Sequence, residues 1–195
     1  MLYNDLNKTT LEKALRQLRK LNWDDAEISS YVIKCLINIW NVKFLNIRWV
    51  AYVLAQLNTY QEWVPPKVID GVLEEIRLGM DINHPKYNQN RVAMVRYLGE
   101  LYNHHLIESS IIFKTLYSLI YFGVTYDHNI YSELDPPDNL IRIKLVCYLL
   151  EICGQYFSSG TSKKRLDYFL YFFQVLFSIS LIFHLIFLLI NIFYF

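Results

Sequence analysis

Four carboxylates lie close together in the segment DGVLEEIRLGMD, which spans residues 70–81. On an α-helix successive residues are about 100° apart, so three of these carboxylates fall within about 40° of one another and the fourth lies on the shoulder of the stripe. We call this set the acidic stripe: Asp70, Glu74, Asp81 and, on the shoulder, Glu75. Arg77 falls inside the stripe, where it can pair with Glu74 or Asp81.

Apolar residues of the same segment fall on the opposite side of the predicted helix, where they would face a core: Ile69, Val72, Leu73, Ile76 and Met80. A row of carboxylates on the outward face attracts a basic surface and sets the orientation and rate of association. The segment therefore predicts a docking surface for a basic partner, with a merely solvated helix face as the alternative.

Few other residues could carry catalysis or hold a metal. His104 and His105 follow a helical segment, where a solvated or capping role is expected rather than metal ligation. Cys147 and the histidines do not have the arrangement of a nucleophile and its base. Gly71 and Gly79 stand alone inside helical sequence and form no phosphate-binding loop. We therefore predict no enzyme, no cofactor and no metal site.

Charge and cysteine content favour an ordinary protein of the cytosol or nucleus. The net charge is +1, so no global field favours nucleic acid or a membrane surface. The three cysteines lie in apolar helical runs without a CxxC pair, and we predict buried, reduced thiols at Cys35, Cys147 and Cys153.

One local basic run could make a modest phosphate contact, with a solvated helix face as the alternative: Lys163, Lys164 and Arg165.

The elements that must position these residues are helices almost throughout. Apolar residues recur at helical spacing between turn signals rich in Pro, Gly, Asn and Asp. Pro65 and Pro66 suit the first turn of the helix that carries the acidic stripe. The predicted helices cover 11–21, 26–40, 47–60, 67–80, 90–103, 107–122, 138–157 and a last stretch that begins near Ser162. Helices joined by short connections pack as antiparallel pairs, so we predict an all-α, HEAT-like α-solenoid.

The last 21 residues, 175–195, contain no charged side chain. About 20 apolar residues are enough for one helix to cross a bilayer, so a transmembrane anchor is one interpretation of this tail.

Four long blocks of the sequence resemble the scaffold proteins of nonsense-mediated mRNA decay. The resemblance is to their third domain of the type first seen in the middle of translation initiation factor 4G, and it runs from about Leu2 to Gln174. The blocks occur in the same order and are LRQLRKLNWDDAEISSYVIKCLINIWNVKF, VIDGVLEEIRLGMDINHPKYNQNR, YLGELYNHHLIESSIIFKTLYSLIYFGV and LDPPDNLIRIKLVCYLLEICGQYFSSGTSKKRLDYFL.

This resemblance implies a scaffold that is not an enzyme and that is located in the cytoplasm, including its perinuclear part. It also implies a partner, the RNA-recognition-like domain of regulator of nonsense transcripts 3, bound by acidic side chains at the positions of Asp70, Glu74, Glu75 and Asp81. At the positions of Asp81 and Glu75 in this sequence, relatives often have Glu and Asp respectively. The charge is therefore kept, while the side-chain length differs by one methylene group. Direct RNA contact is a weaker implication.

The resemblance further implies that residues 1–174 cover part of one such domain. The segment by which the family binds the decay helicase, regulator of nonsense transcripts 1, is not expected in this chain. Because the codon for Val175 begins with GT, as introns do, and the tail has the composition of a translated AT-rich intron, we expect residues 175–195 to be intron read-through. Two rival interpretations remain: a membrane-anchored helical protein, and a translation-initiation scaffold that binds RNA or a helicase.

Overall fold

The structure is a computed structural model that describes residues 6–82, 84–123 and 140–175. All regular secondary structure in these ranges is helical. The α-helices are α1 (Leu11–Arg19), α2 (Ala26–Ile37), α3 (Ile47–Asn58), α4 (Val64–Asp81), α5 (Asn88–Asn103), α6 (Ser109–Tyr121), α7 (Ile141–Cys153) and α8 (160–175). Short 3₁₀ turns occur at Ile39–Asn41, Phe44–Asn46, Pro85–Tyr87 and Gly154–Tyr156. The all-α prediction is confirmed.

Local signals account for where these helices begin and end. The side chain of Asp25 caps α2 by accepting hydrogen bonds from the amides of Glu27 (2.9 Å) and Ile28 (3.4 Å). The predicted second helix is too long, because α2 ends at Ile37 and a 3₁₀ turn follows at Ile39–Asn41. The structure thus confirms the position of the predicted helix and corrects its C-terminal end.

The described residues fall into two compact units, one up to Ile112 and one from Phe113 onward. In the first unit, α1 packs on α3, α2 on α4, and α5 on both α3 and α4. Its core consists of aliphatic side chains with almost no solvent exposure, among them Leu36, Ile47, Leu54, Val68, Val72 and Leu98. Burial of this apolar surface is the main force that holds α4 in place.

One close helix approach in the first unit depends on a glycine. A Cβ added at Gly71 of α4 would lie 2.9 Å from Cγ1 of Ile37 on α2, and closer still to its Cδ1. Because real Cβ atoms do not come this close to other heavy atoms, a side chain at position 71 would require either the Ile37 side chain or α2 itself to move.

The second unit is rich in aromatic contacts. Phe113 of α6 packs on Phe157 with ring centroids 5.0 Å apart, and Tyr117 meets the buried Phe169 of α8 edge to face at 5.2 Å. Arg142 of α7 donates a hydrogen bond to the backbone carbonyl of Ile120. These contacts link α6, α7 and α8 within this unit.

The three cysteines are thiols that are not joined in disulfides, but their burial differs from the prediction. Cys153 is buried, Cys35 is half-buried, and Cys147 is exposed on α7. The prediction of three buried thiols is therefore wrong for Cys147, because its position on α7 lies outside the buried stripe formed by Ile141, Leu145, Val146, Leu149 and Cys153.

Residues 176–195, which make up all of the apolar tail but Val175, lie outside the described residues, as do 124–139. Among the helices that the structure describes, none has both the length and the apolar character needed to cross a membrane.

Candidate docking surface on α4

Helix α4 is fixed in the first unit by one apolar side. Pro65 and Pro66 lie in its first turn, where a missing amide hydrogen costs little. The buried positions recur at helical spacing and are Val64, Pro65, Val68, Ile69, Val72, Ile76 and Met80. Leu73, which was predicted to be in the core, is only half-buried. This packing against α2, α3 and α5 determines which side of α4 faces outward.

The acidic stripe lies on that outward side. Asp70, Glu74 and Asp81 are exposed, and Glu75 is half-buried at the edge. The predicted geometry, with three carboxylates in line and one on the shoulder, agrees with this burial pattern. The structure brings Asp70, Glu74 and Asp81 to one face of α4 with Glu75 at its edge, and their role in binding stays a prediction.

Arg77 pairs with Glu74 within the stripe. Its Nη2 lies 2.9 Å from Glu74 Oε1 and its Nε lies 3.1 Å from Oε2, which gives a two-point contact. The hydrogen bond from Arg77 lowers the pKa of Glu74, and the same contact raises the pKa of Arg77, with Asp81 adding to the effect. Because both side chains are largely exposed, solvent screens this pair and it adds little to stability.

Asp81 is the last residue of α4, where a carboxylate meets the negative end of the helix dipole. The last turn of α4 carries no basic residue that would offset this charge. The helix dipole therefore does not favour a carboxylate at this position, and Arg77, four residues earlier, is a positive charge that interacts with it.

Two exposed apolar side chains border the stripe and were not predicted as part of the site. Leu78 is 40% exposed and Ile82 is 52% exposed. The amide of Ile82 donates to the carbonyl of Leu78 (3.1 Å), so the two residues are one helical turn apart. The sequence contains a signal for Leu78, because its position in the helical repeat lies outside the set of apolar residues predicted to face the core.

His104 and His105 follow the last residue of α5 and terminate the helix. The His105 amide donates to Tyr102 and the Leu106 amide to Leu101, at 2.9 and 3.0 Å, which is the Schellman pattern of a helix C-terminus. His105 adopts a φ of 58°, the left-handed conformation at which this pattern usually has glycine. Within the described ranges, no group of His, Cys, Asp or Glu could hold a metal ion.

The predicted basic run lies on the first half of α8. Lys163, Lys164 and Arg165 are all exposed there. This placement suits either a solvated helix face or a phosphate contact.

Helices that pack on one another through their apolar sides and leave a charged side facing outward are typical of HEAT-like helical repeat domains. The chain belongs to the MIF4G domain family, whose match covers residues 1–191. It is similar to "Regulator of nonsense transcripts 2" of Homo sapiens and of Mus musculus, with 57% identity to each over 174 residues. It is also 41% identical over 174 residues to "Regulator of nonsense transcripts UPF2" of Arabidopsis thaliana. Each alignment covers 89% of this chain but 14% of the relative's length.

Proposed function

We propose that this chain is a non-enzymatic scaffold domain of nonsense-mediated mRNA decay, located in the cytoplasm. It corresponds to the third MIF4G domain of the decay scaffolds and binds the RNA-recognition-like domain of regulator of nonsense transcripts 3. The acidic stripe of α4 is the surface that makes the contact. The names of the relatives support the pathway, and the sequence blocks that resemble the third domain support the partner.

The observation that carries the proposal is the exposure of three carboxylates along one helix whose other side is core. Asp70, Glu74 and Asp81 are available to a partner without any rearrangement of the fold. A basic surface would meet these charges in a fixed line, which sets the orientation of the complex and speeds its formation. Because exposed charges are screened by salt, binding should weaken as ionic strength rises.

The test is a double charge reversal, Glu74→Lys with Asp81→Lys, measured by capture of the purified partner domain. We expect capture to be lost at physiological salt while far-ultraviolet circular dichroism stays unchanged. The matched control reverses two exposed carboxylates of the second unit, Glu151→Lys with Asp167→Lys, and should keep binding. Unchanged capture by the folded α4 variant would refute the proposal.

A weaker second function is direct contact with RNA through the basic run of α8. Exposure of all three side chains makes them available to phosphates. Filter binding of single-stranded RNA at two salt concentrations tests the contact. No measurable affinity at low salt would remove this function.

For residues 175–195 we propose intron read-through rather than a membrane anchor, on the composition of this tail, while the MIF4G family match extends into it as far as residue 191. The test is to sequence transcripts across codon 175. Polysomal transcripts that continue through this junction as coding sequence would contradict the proposal.

A further inference from the structure

Leu78 lies among the carboxylates of the acidic stripe. Glu74 and Glu75 precede it by four and three residues, and Asp81 follows it by three. Residues at these separations are neighbours on a helix surface. Leu78 is 40% exposed, and Ile82, one turn further on, is 52% exposed. The outward face of α4 therefore has an apolar pair at its C-terminal end, bordered by negative charge.

The position of this pair is well defined. The hydrogen bond from the Ile82 amide to Leu78 continues the helix by one residue. The carbonyl of Ile82 in turn accepts a hydrogen bond from Arg91 of α5, whose side chain is buried. Because the backbone that carries both side chains is fixed, a partner can cover them without reorganising the end of α4.

We propose that Leu78 and Ile82 form the apolar anchor of the docking surface and that the acidic stripe acts mainly as its charged rim. This inference rests on the proposed function and specifies the chemistry of the partner surface. That surface must carry an exposed apolar or aromatic side chain with Lys or Arg residues around it. A partner with basic residues alone would leave Leu78 and Ile82 facing water.

The two parts of such an interface have different kinetic effects. Charges at a rim change the association rate and its salt dependence, whereas residues that become fully desolvated at the centre control the dissociation rate. Apolar contacts are also not screened by salt in the way that exposed charges are. The proposal therefore predicts that variants of the charged residues and variants of the apolar residues have different effects on the association rate, the dissociation rate and the salt dependence of binding.

The experiment measures association and dissociation rates of the full chain with the partner's RNA-recognition-like domain at several salt concentrations. We expect Leu78→Ala with Ile82→Ala to weaken binding about tenfold, mostly through faster dissociation, and to leave the salt dependence unchanged. Glu74→Gln with Asp81→Asn should slow association and flatten the salt dependence. The matched control is Leu45→Ala, which truncates a leucine that is 73% exposed in the Phe44–Asn46 turn.

The results distinguish the apolar anchor from the proposed role of the acidic stripe. If the charge variant weakens binding and the apolar variant does not, the anchor is wrong and the proposed function stands. If only the apolar variant weakens binding, the anchor stands and the role of the acidic stripe is wrong. If the unmodified chain does not bind this domain, both ideas are wrong. A loss with Leu45→Ala equal to that of the apolar variant would also overturn the anchor.

Discussion

Arg91 of α5 donates a hydrogen bond from Nη2 to the backbone carbonyl of Ile82, the residue that follows the docking helix α4. The same nitrogen lies 3.5 Å from the carbonyl of His84. Burial lowers the pKa of Arg91, yet the guanidinium stays charged at any physiological pH. A positive charge near the negative end of α4 is favourable for the helix dipole. Arg91 therefore links the α5 core to the end of the proposed docking surface.

Replacing Arg91 with Met should destabilise the chain by about 1–3 kcal/mol. The substitution keeps an apolar stem but removes the donor to two backbone carbonyls. Denaturant unfolding gives the free energy of unfolding. Relative to the unmodified chain, the amide hydrogen-exchange rates of Arg91→Met should increase more at residues 78–82 than in α1. Arg91→Lys retains the charge and should recover part of the loss. Wild-type stability and exchange in Arg91→Met would contradict this role.

Replacing Arg77 with Gln should strengthen the binding of a basic partner about two- to fivefold at low salt. Arg77 contributes a positive charge within the acidic stripe and holds Glu74 in a two-point contact. Its removal frees the Glu74 carboxylate and removes repulsion of the partner. Association rates measured by surface plasmon resonance check the prediction. As a control for the loss of a surface arginine, Arg16→Gln removes an arginine paired with Glu12 on α1 and should have no effect. Weaker binding in Arg77→Gln would mean that Arg77 itself contacts the partner.

The helix α4 and its acidic stripe could be predicted from the sequence because they depend on local information. Helical spacing alone separates Asp70, Glu74 and Asp81 from the core positions. Pro65 and Pro66 mark the start of the helix. The family resemblance then connected the stripe to a class of partner. The binding role itself goes beyond what helical spacing can show.

Features that depend on packing between helices could not be predicted in this way. An arginine is normally expected at the surface, and nothing in the sequence near Arg91 indicates that its side chain reaches the end of α4. In the sequence Gly71 is an isolated glycine, and only the packing of α2 on α4 places Ile37 against it. The exposure of Cys147 likewise depends on which side of α7 is covered, and that is a property of the assembled unit.

Gly71→Ala should destabilise the chain, although alanine favours helix over glycine by about 1 kcal/mol. The added methyl group would overlap Ile37, and overpacking costs about 1–3 kcal/mol. Ile37→Ala removes the overlapping atoms, so the double variant should be more stable than the sum of the two single effects predicts, by about 1 kcal/mol or more. Gly79→Ala is the control, because a Cβ there meets only Cγ of Arg91 at 3.4 Å. Strict additivity in the Gly71 and Ile37 cycle would contradict an energetic cost from overlap between these two positions.

Protonation of His104 should destabilise the chain at mildly acidic pH. Burial lowers the pKa of His104 below its ordinary value, with Glu100 and a hydrogen bond to the Arg48 backbone opposing the shift and His105 adding to it. The unfolded chain thus binds the proton more readily than the folded one. The stabilising contribution is complete above about pH 6.5 and is lost as the pH falls through that value toward the lower pKa of the folded state.

The measurement that checks this is the free energy of unfolding between pH 8 and pH 5. His104→Gln should flatten the pH dependence in this range, because glutamine does not titrate and can still donate a hydrogen bond. His105→Asn should keep most of it, since desolvation of His104, the largest cause of the shift, is unaffected; asparagine also tolerates the left-handed conformation at position 105. If His104→Gln keeps the full slope of the unmodified chain, another group is responsible for the acid sensitivity.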